Sequence, residues 1–387
     1  CTLAWRAMNG WLEREVIIPK PLDVLAYAVA LYAYLHPNGV SVDELYSLLV
    51  KHPLFRDLTR EELNDVLEYL SYTRVVKTYN NTLLPTRKTK LYLYKTSMIP
   101  STRDVQVVEA GSSRKVGDII VLAGRPWKTI SYDETEHKLY VEPARVSREV
   151  IIPHWEGENI PVEYEVAQQV GEAVKYIKKH GELPSYMIEL TGGVINPDQL
   201  NEVKEMGDIE NITVDYIREF GFVIVNVYGG SKVNALIRDL LKHVLKTMYP
   251  YMKINIHSTP YSIIIQLPST NTVELGGGPV DKIYEVISKL NEYAGSEFIE
   301  KIAKDSTQYL WRIYQVAQRF GAISPETTQV NRRLLEAFTD TVIGREALKE
   351  VLIKDYDIDS FLKLAGRIAR NEIRVSLRKY DKLQDHH

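Results

Sequence analysis

The sequence predicts an α+β protein: a small helical unit closed by a β-hairpin, then a composite region with β-rich, α/β and helical parts. Three observations carry this. Helix-start signals followed by apolar stripes recur between residues 20 and 72. Short alternating runs broken by Gly, Pro, Asn and Asp fill residues 75–160. Beyond residue 161, amphipathic stretches alternate with apolar strands, and from 296 to about 376 the pattern is nearly all helical. The 387 residues are enough for two or three domains, and 45% hydrophobic with 26% charged residues is the composition of a soluble globular chain.

Residues 1–19 read as a junction leading into a unit spanning 20–100. "PLDVLAYAVALYAYLHPNG" predicts a helix begun near Pro21 and stopped by Pro37-Asn38-Gly39. Ser41 with Glu44, and Thr59 with Glu62, have capping-box spacing. Leu63, Val66, Leu67 and Leu70 then form one apolar stripe. Val75-Val76 begin a strand, Asn80-Asn81 make a turn, and "KLYLYK" alternates as a second strand. Three helices and a hairpin are the order of a winged helix, whose third helix is the recognition element. Arg87, Lys88, Lys90 and Lys95 fall in the hairpin region, where they fit either phosphate contact or a solvated charged surface.

The composite region runs from 101 to 387. Its part at 101–160 contains short strands consistent with a small barrel or curled sheet. The part at 161–295 opens on a helix ending at Gly181 and continues with strand pairs around Phe220-Gly221 and Thr259-Pro260, each followed by a helix. The part at 296–376 is helical, and 377–387 is a tail. No repeat or low-complexity linker divides it.

Several chemistries find no support. The single cysteine, Cys1, leaves no internal disulfide framework and no Cys-based zinc site, which suits a reducing cytoplasm. Seven internal histidines show no H-x-x-x-H spacing, and there is no G-x-S-x-G element. "YGGSK" at 228–232 lacks the spacing of a nucleotide loop; Gly229-Gly230 read as a tight turn with Ser231 as N-cap, although a backbone phosphate could still meet that helix start through Lys232. No catalytic residue, metal ligand, ATP site or cofactor is assigned within the chain. A net charge of −3 neither favours nor excludes nucleic acid. No run of 18 apolar residues suggests a membrane span.

Nucleic-acid features remain. Arg114-Lys115 lie in the turn "GSSRKVG", and Trp127 sits in a strand-like run that suits a core position. Trp155, in "IIPHWEGE", stands among turn residues without a periodic apolar neighbourhood. It is either tucked against a core or held out to stack on a base.

The order of segments resembles the C-terminal half of the core of large helicase-related (Lhr) proteins, superfamily-2 helicases of archaea and bacteria. "WLEREVIIPKPLDVLAYAVA" is similar to the family's entry into its winged helix, and "TSMIPSTRDVQVVEAGSSRKVGD" to the stretch that leaves it. "VLAGRPWKTISYDETEHKLYVEPARVSREVIIPHWEGE" resembles the most distinctive block of the next domain. "VIVNVYGGSKVNALIRDLL" and "EALKEVLIKDYDIDSFLKLAGRIARNEIRV" resemble later elements, so the likeness runs collinearly over residues 10–376. The sequence departs from the family at His154, where an aromatic is usual, and at Tyr228-Gly229, where Ser-Pro-Phe is usual.

The resemblance implies an ATP-dependent motor that moves 3′ to 5′ on single-stranded DNA or RNA and unwinds duplexes, RNA–DNA hybrids included, in DNA repair. ATP and Mg would belong to motor domains of the same protein outside these residues. By the same resemblance Trp155 stacks on a base of the tracking strand and Ile99 approaches that strand. Arg87, Lys88, Lys90, Arg103, Arg114, Lys115 and Lys232 are candidate phosphate contacts. The competing reading is a docking scaffold for a nuclease or repair factor, presented by a surface rich in the chain's 25 tyrosines.

Overall fold

The computed structural model describes residues 1–13, 15–99, 161–192, 203, 207–268, 278–324, 330 and 332–380, together with the backbone of four strands between 106 and 143. Helix α1 (Thr2–Met8) precedes a unit built from α2 (Leu22–Leu35), β1 (Val40–Ser41), α3 (Val42–Leu49), α4 (Arg60–Tyr72), β2 (Val76–Tyr79), β3 (Thr82–Pro85) and α5 (Arg87–Lys95). The three strands pair in the order β1-β3-β2. The β2–β3 turn has positive φ at both Asn80 and Asn81, the backbone of a two-residue type I′ hairpin. Thr59 and Glu62 make both bonds of a capping box, and Leu63, Val66, Leu67 and Leu70 are all buried. Ser41 instead caps α3 through the Asp43 amide at 3.2 Å, without a reciprocal bond from Glu44.

The expected strand "KLYLYK" is helical, and this moves the basic residues off the hairpin. Thr86 accepts from the Lys88 amide at 3.0 Å, and the Thr86 amide donates to Thr89 Oγ1 at 2.8 Å, which starts a helix where the strand was expected. Thr89 and Tyr92 are buried and Leu93 packs against the core, an i, i+3, i+4 face that strand alternation does not explain. A run that alternates Leu and Tyr satisfies both periods, and the inward pull of Thr89, Tyr92 and Leu93 decides between them.

Strands β4 (Gln106–Glu109), β5 (Ile119–Leu122), β6 (Arg125–Asp133) and β7 (Lys138–Pro143) form a sheet in the order β4-β7-β6-β5, with a bulge between Thr129 and Ser131. Among the described residues it is an open sheet with β4 and β5 at its edges, rather than a closed barrel. Helices α6 (Tyr164–His180) and α7 (Ser185–Thr191) follow, α6 ending on Gly181 in the left-handed conformation.

The second sheet collects β8 (Asn211–Ile217), β9 (Phe222–Asn226), β10 (Asn255–Ser258), β11 (Ser262–Gln266) and β12 (Arg374–Tyr380) in the order β10-β11-β9-β8-β12. Helices α8 (Gly230–Met248) and α9 (Pro279–Ser288) pack against it. The remaining helices are α10 (Ser296–Asp305), α11 (Thr307–Arg319), α12 (Arg332–Glu336), α13 (Val342–Glu350) and α14 (Ile358–Ala369). The expected helical part and tail therefore end differently: residues 374–380 are a strand, parallel to β8. Arg378 sits opposite Asp215 and donates to both of its carboxylate oxygens at 2.5 and 2.8 Å, which fixes the register.

A buried polar network joins the N-terminal unit to the C-terminal helices. Arg319 on α11 pairs with Asp23 on α2 and Glu350 on α13, all three with side chains less than a tenth exposed. Arg312 adds Asp355 at 2.6 Å and Glu350 at 3.5 Å. Arg345 reaches Asp65 of α4 at 2.6 Å, and the Tyr69 ring meets Phe320 edge-on. Glu346 accepts from the Leu22 amide at 3.1 Å and holds Lys349 at 2.6 Å.

Burial outweighs Lys349 and raises the Glu346 carboxyl to about 7, with Asp23 adding to the shift. A carboxyl at 4.5 unfolded and about 7 folded binds more protons in the native state between those values. Its contribution is therefore fully present below pH 4.5 and is lost as pH rises toward 7. Glu346→Gln removes this titration. In urea unfolding, the variant should gain on the parent by on the order of 3 kcal/mol as pH rises through that window. A pH-independent difference would refute the assignment.

Candidate nucleic-acid interface

Of the nine candidate contacts, Trp155, Arg103, Arg114 and Lys115 lie outside the described residues. The other five occupy two places. Arg87, Lys88 and Lys90 are exposed on α5, and Ile99 follows the same helix with 81% of its surface open. Lys232 stands apart, half-buried in the first turn of α8.

The start of α8 is closed by the protein's own backbone. The Gly230 amide donates to Pro260 O at 2.9 Å and the Ser231 amide to Val162 O at 2.8 Å. Gly229 is the N-cap, so Ser231 is not; its Oγ accepts from the Val162 amide at 2.9 Å. These bonds occupy two of the donors that an anion would need at a helix start. Burial raises the carboxyl of the half-buried Glu163, and the nearby charge of Lys232 only partly offsets this.

The helical unit divides sharply by charge. Residues 43–68 carry Asp43, Glu44, Asp57, Glu61, Glu62, Asp65 and Glu68 against three cations. Residues 69–103 carry no carboxylate, but include Arg74, Lys77, Lys95, Arg103 and the three cations of α5 named above. Helix α4, the expected recognition element, falls mainly in the acidic half. Its Glu62 takes Lys20 at 2.6 Å and its Asp65 takes Arg345, so much of its polar surface serves internal contacts. A duplex groove lined by phosphates would meet carboxylates there.

Helix α5 has the opposite character. Arg87, Lys90, Leu91 and Tyr94 follow the i, i+3, i+4, i+7 spacing on its outward face. Leu91 is 53% and Tyr94 78% exposed, and the Lys90 ammonium lies 5.9 Å from the Tyr94 ring centroid. Lys88 reaches toward Thr73 O at the end of α4, at 3.5 Å. Sequence reading at strand period placed Leu91 and Tyr94 without a role. Reading "RKTKLYLY" at helix period exposes the stripe.

Among the described residues no group of His, Cys, Asp and Glu is placed to hold a metal ion. No described helix is long and apolar enough to cross a membrane.

Residues 207–383 match the DEAD/H associated family model. The chain is 22% identical to the ATP-dependent helicase Lhr-Core of Sulfolobus acidocaldarius, over 97% of this chain and 48% of that protein. It is 24% identical to the ATP-dependent helicase Lhr-Core of Methanocaldococcus jannaschii, over 96% of this chain and 47% of the relative. The fold matches the solved structure of Mycobacterium smegmatis helicase Lhr bound to ssDNA and AMP-PNP, with a TM-score of 0.67 at 18% identity, covering 98% of this chain and 49% of that one. The chain thus spans about half the length of the relatives it matches. From the carboxylate-free stretch around α5 to the sheet closed by β12, the chain is similar over nearly its whole length to the C-terminal half of large helicase-related (Lhr) helicases, and it shares the fold of the Mycobacterium smegmatis protein.

Proposed function

We propose that these residues are the part of an ATP-dependent Lhr-type helicase that holds single-stranded nucleic acid as it leaves the motor domains of the same protein, during 3′-to-5′ unwinding of duplexes or RNA–DNA hybrids. The observation that carries this is the near-complete coverage of the chain by the C-terminal half of Lhr helicases, one of which was solved with ssDNA bound. The stretch 69–103, seven cations and no carboxylate in a chain of net charge −3, supports it independently. In this reading the N-terminal unit is a winged helix, Trp155 is a stacking wedge, and Ile99 lies along the strand. Arg103, Arg114 and Lys115 supply phosphate contacts, with Lys232 the least available because it is half-buried at a helix start whose Gly230 and Ser231 amides are already bonded.

The test is binding of a fluorescent single-stranded oligonucleotide across a salt series. Each phosphate contact should add about 0.7 to the slope of log K against log salt. Trp155→Ala should weaken binding by about 1–3 kcal/mol while leaving the thermal transition in place. An unchanged Kd at fixed salt removes Trp155 from the site. Absence of binding at low salt favours the scaffold reading.

A further inference from the structure

We propose that α5, rather than α4, is the nucleic-acid face of the N-terminal unit, and that Tyr94 is a platform on which a base of a single strand stacks. This deepens the function proposed above and rests on it. Three observations converge. The outward stripe of α5 combines Arg87 and Lys90 with Leu91 and Tyr94, and no carboxylate lies within the 35 residues from 69 to 103. Tyr94 is 78% exposed although burying an aromatic ring is favourable, and its neighbour along the stripe, Lys90, lies within cation–π reach. Ile99, 81% exposed, continues the apolar surface past the end of the helix.

Charge and shape together select the occupant. A polyanion matches the cations, but phosphates alone give no reason to hold a tyrosine and two aliphatic side chains in water. A duplex hides the faces of its bases, whereas a single strand offers them beside its phosphates. An acidic peptide would satisfy the cations but would bring no flat partner for the ring. Helix α4 is a poor alternative because Glu62 and Asp65 are engaged by Lys20 and Arg345, while Glu61 and Glu68 would repel either nucleic acid. The inner face of α5 is already committed: Tyr92 and Thr96 border Gly321, which leaves only the outward stripe for a ligand.

The experiment measures binding of fluorescein-labelled oligothymidylate by the full chain and its variants at fixed low salt. Tyr94→Ala should weaken binding on the order of 10-fold, and Tyr94→Phe should restore it. On an abasic strand of equal length the Tyr94→Ala penalty should vanish, because no base remains to stack. Arg87→Glu with Lys90→Glu should weaken both strands. Unchanged melting of Tyr94→Ala separates the effect from folding. The proposal is overturned if Tyr94→Ala binds oligothymidylate like the parent, if its penalty is equal on the abasic strand, or if polyglutamate displaces the oligonucleotide as well as unlabelled oligothymidylate does. A parent chain that fails to bind any strand sinks the wider reading as well. A parent that binds and responds to Trp155→Ala but not to Tyr94→Ala sinks only this one.

Discussion

Arg319→Met should cost about 3–5 kcal/mol of unfolding free energy, measured by urea denaturation near neutral pH. Methionine fills similar volume, so the loss is mainly electrostatic. Asp23 and Glu350 are left facing each other's neighbourhood inside the protein, with Arg312 at 3.5 Å the remaining cation beside Glu350. Removing one member of a buried pair is costly because the other charge stays desolvated; the pair itself need not be strongly stabilising. Adding Asp23→Asn and Glu350→Gln should therefore recover much of the loss. If Arg319→Met alone changes stability by less than about 1 kcal/mol, the network is not the clamp between α2 and the C-terminal helices.

Gly230→Ala is the second substitution expected to act strongly, by about 2–4 kcal/mol. Gly230 has φ +75°, a left-handed conformation costly to any residue with a Cβ. A Cβ there would stand 2.7 Å from Val162 O and 2.9 Å from the Tyr164 amide nitrogen, and both are backbone atoms that cannot rotate away. Gly181 provides the control. It has φ +70° at the end of α6, but its Cβ would meet nothing within 4 Å. Gly181→Ala should show only the conformational part, about 1–2 kcal/mol. Equal melting temperatures for the two variants would contradict the close approach of residues 162–164 to the start of α8.

Much of this architecture is legible in the sequence because local chemistry and tertiary environment agree. Thr59-x-x-Glu62 starts α4 through reciprocal side-chain caps, while Asn80-Asn81 turns the hairpin, Pro279 opens α9 and Gly181 ends α6, each through a residue whose backbone preference suits that position. The misreadings fall where two periods or two partners compete. "KLYLYK" alternates like a strand, yet its inward residues fit a helix, and only the core they meet decides. "RVSLRKY" straddles the end of the expected helical part and the start of the expected tail, and it is a strand paired in parallel with β8, far away in the chain, where Arg378 meets Asp215. Ser231 looks like a cap until Val162 claims its hydroxyl. The family likeness was legible from collinear segments, whereas Tyr94 was not, since its significance depends on a helical face hidden by the strand reading.

The parallel pairing of β12 with β8 also imposes a timetable. Asp215 and Arg378 are separated by 163 positions. At ribosomal rates of about 5–20 residues per second, β8 emerges roughly ten to thirty seconds before its edge partner exists. During that interval its outer edge has free amides and carbonyls, a template for mispairing with neighbouring nascent chains. A chain stalled before residue 374 should therefore aggregate more readily than one extended through β12, which a sedimentation assay of the two lengths would check.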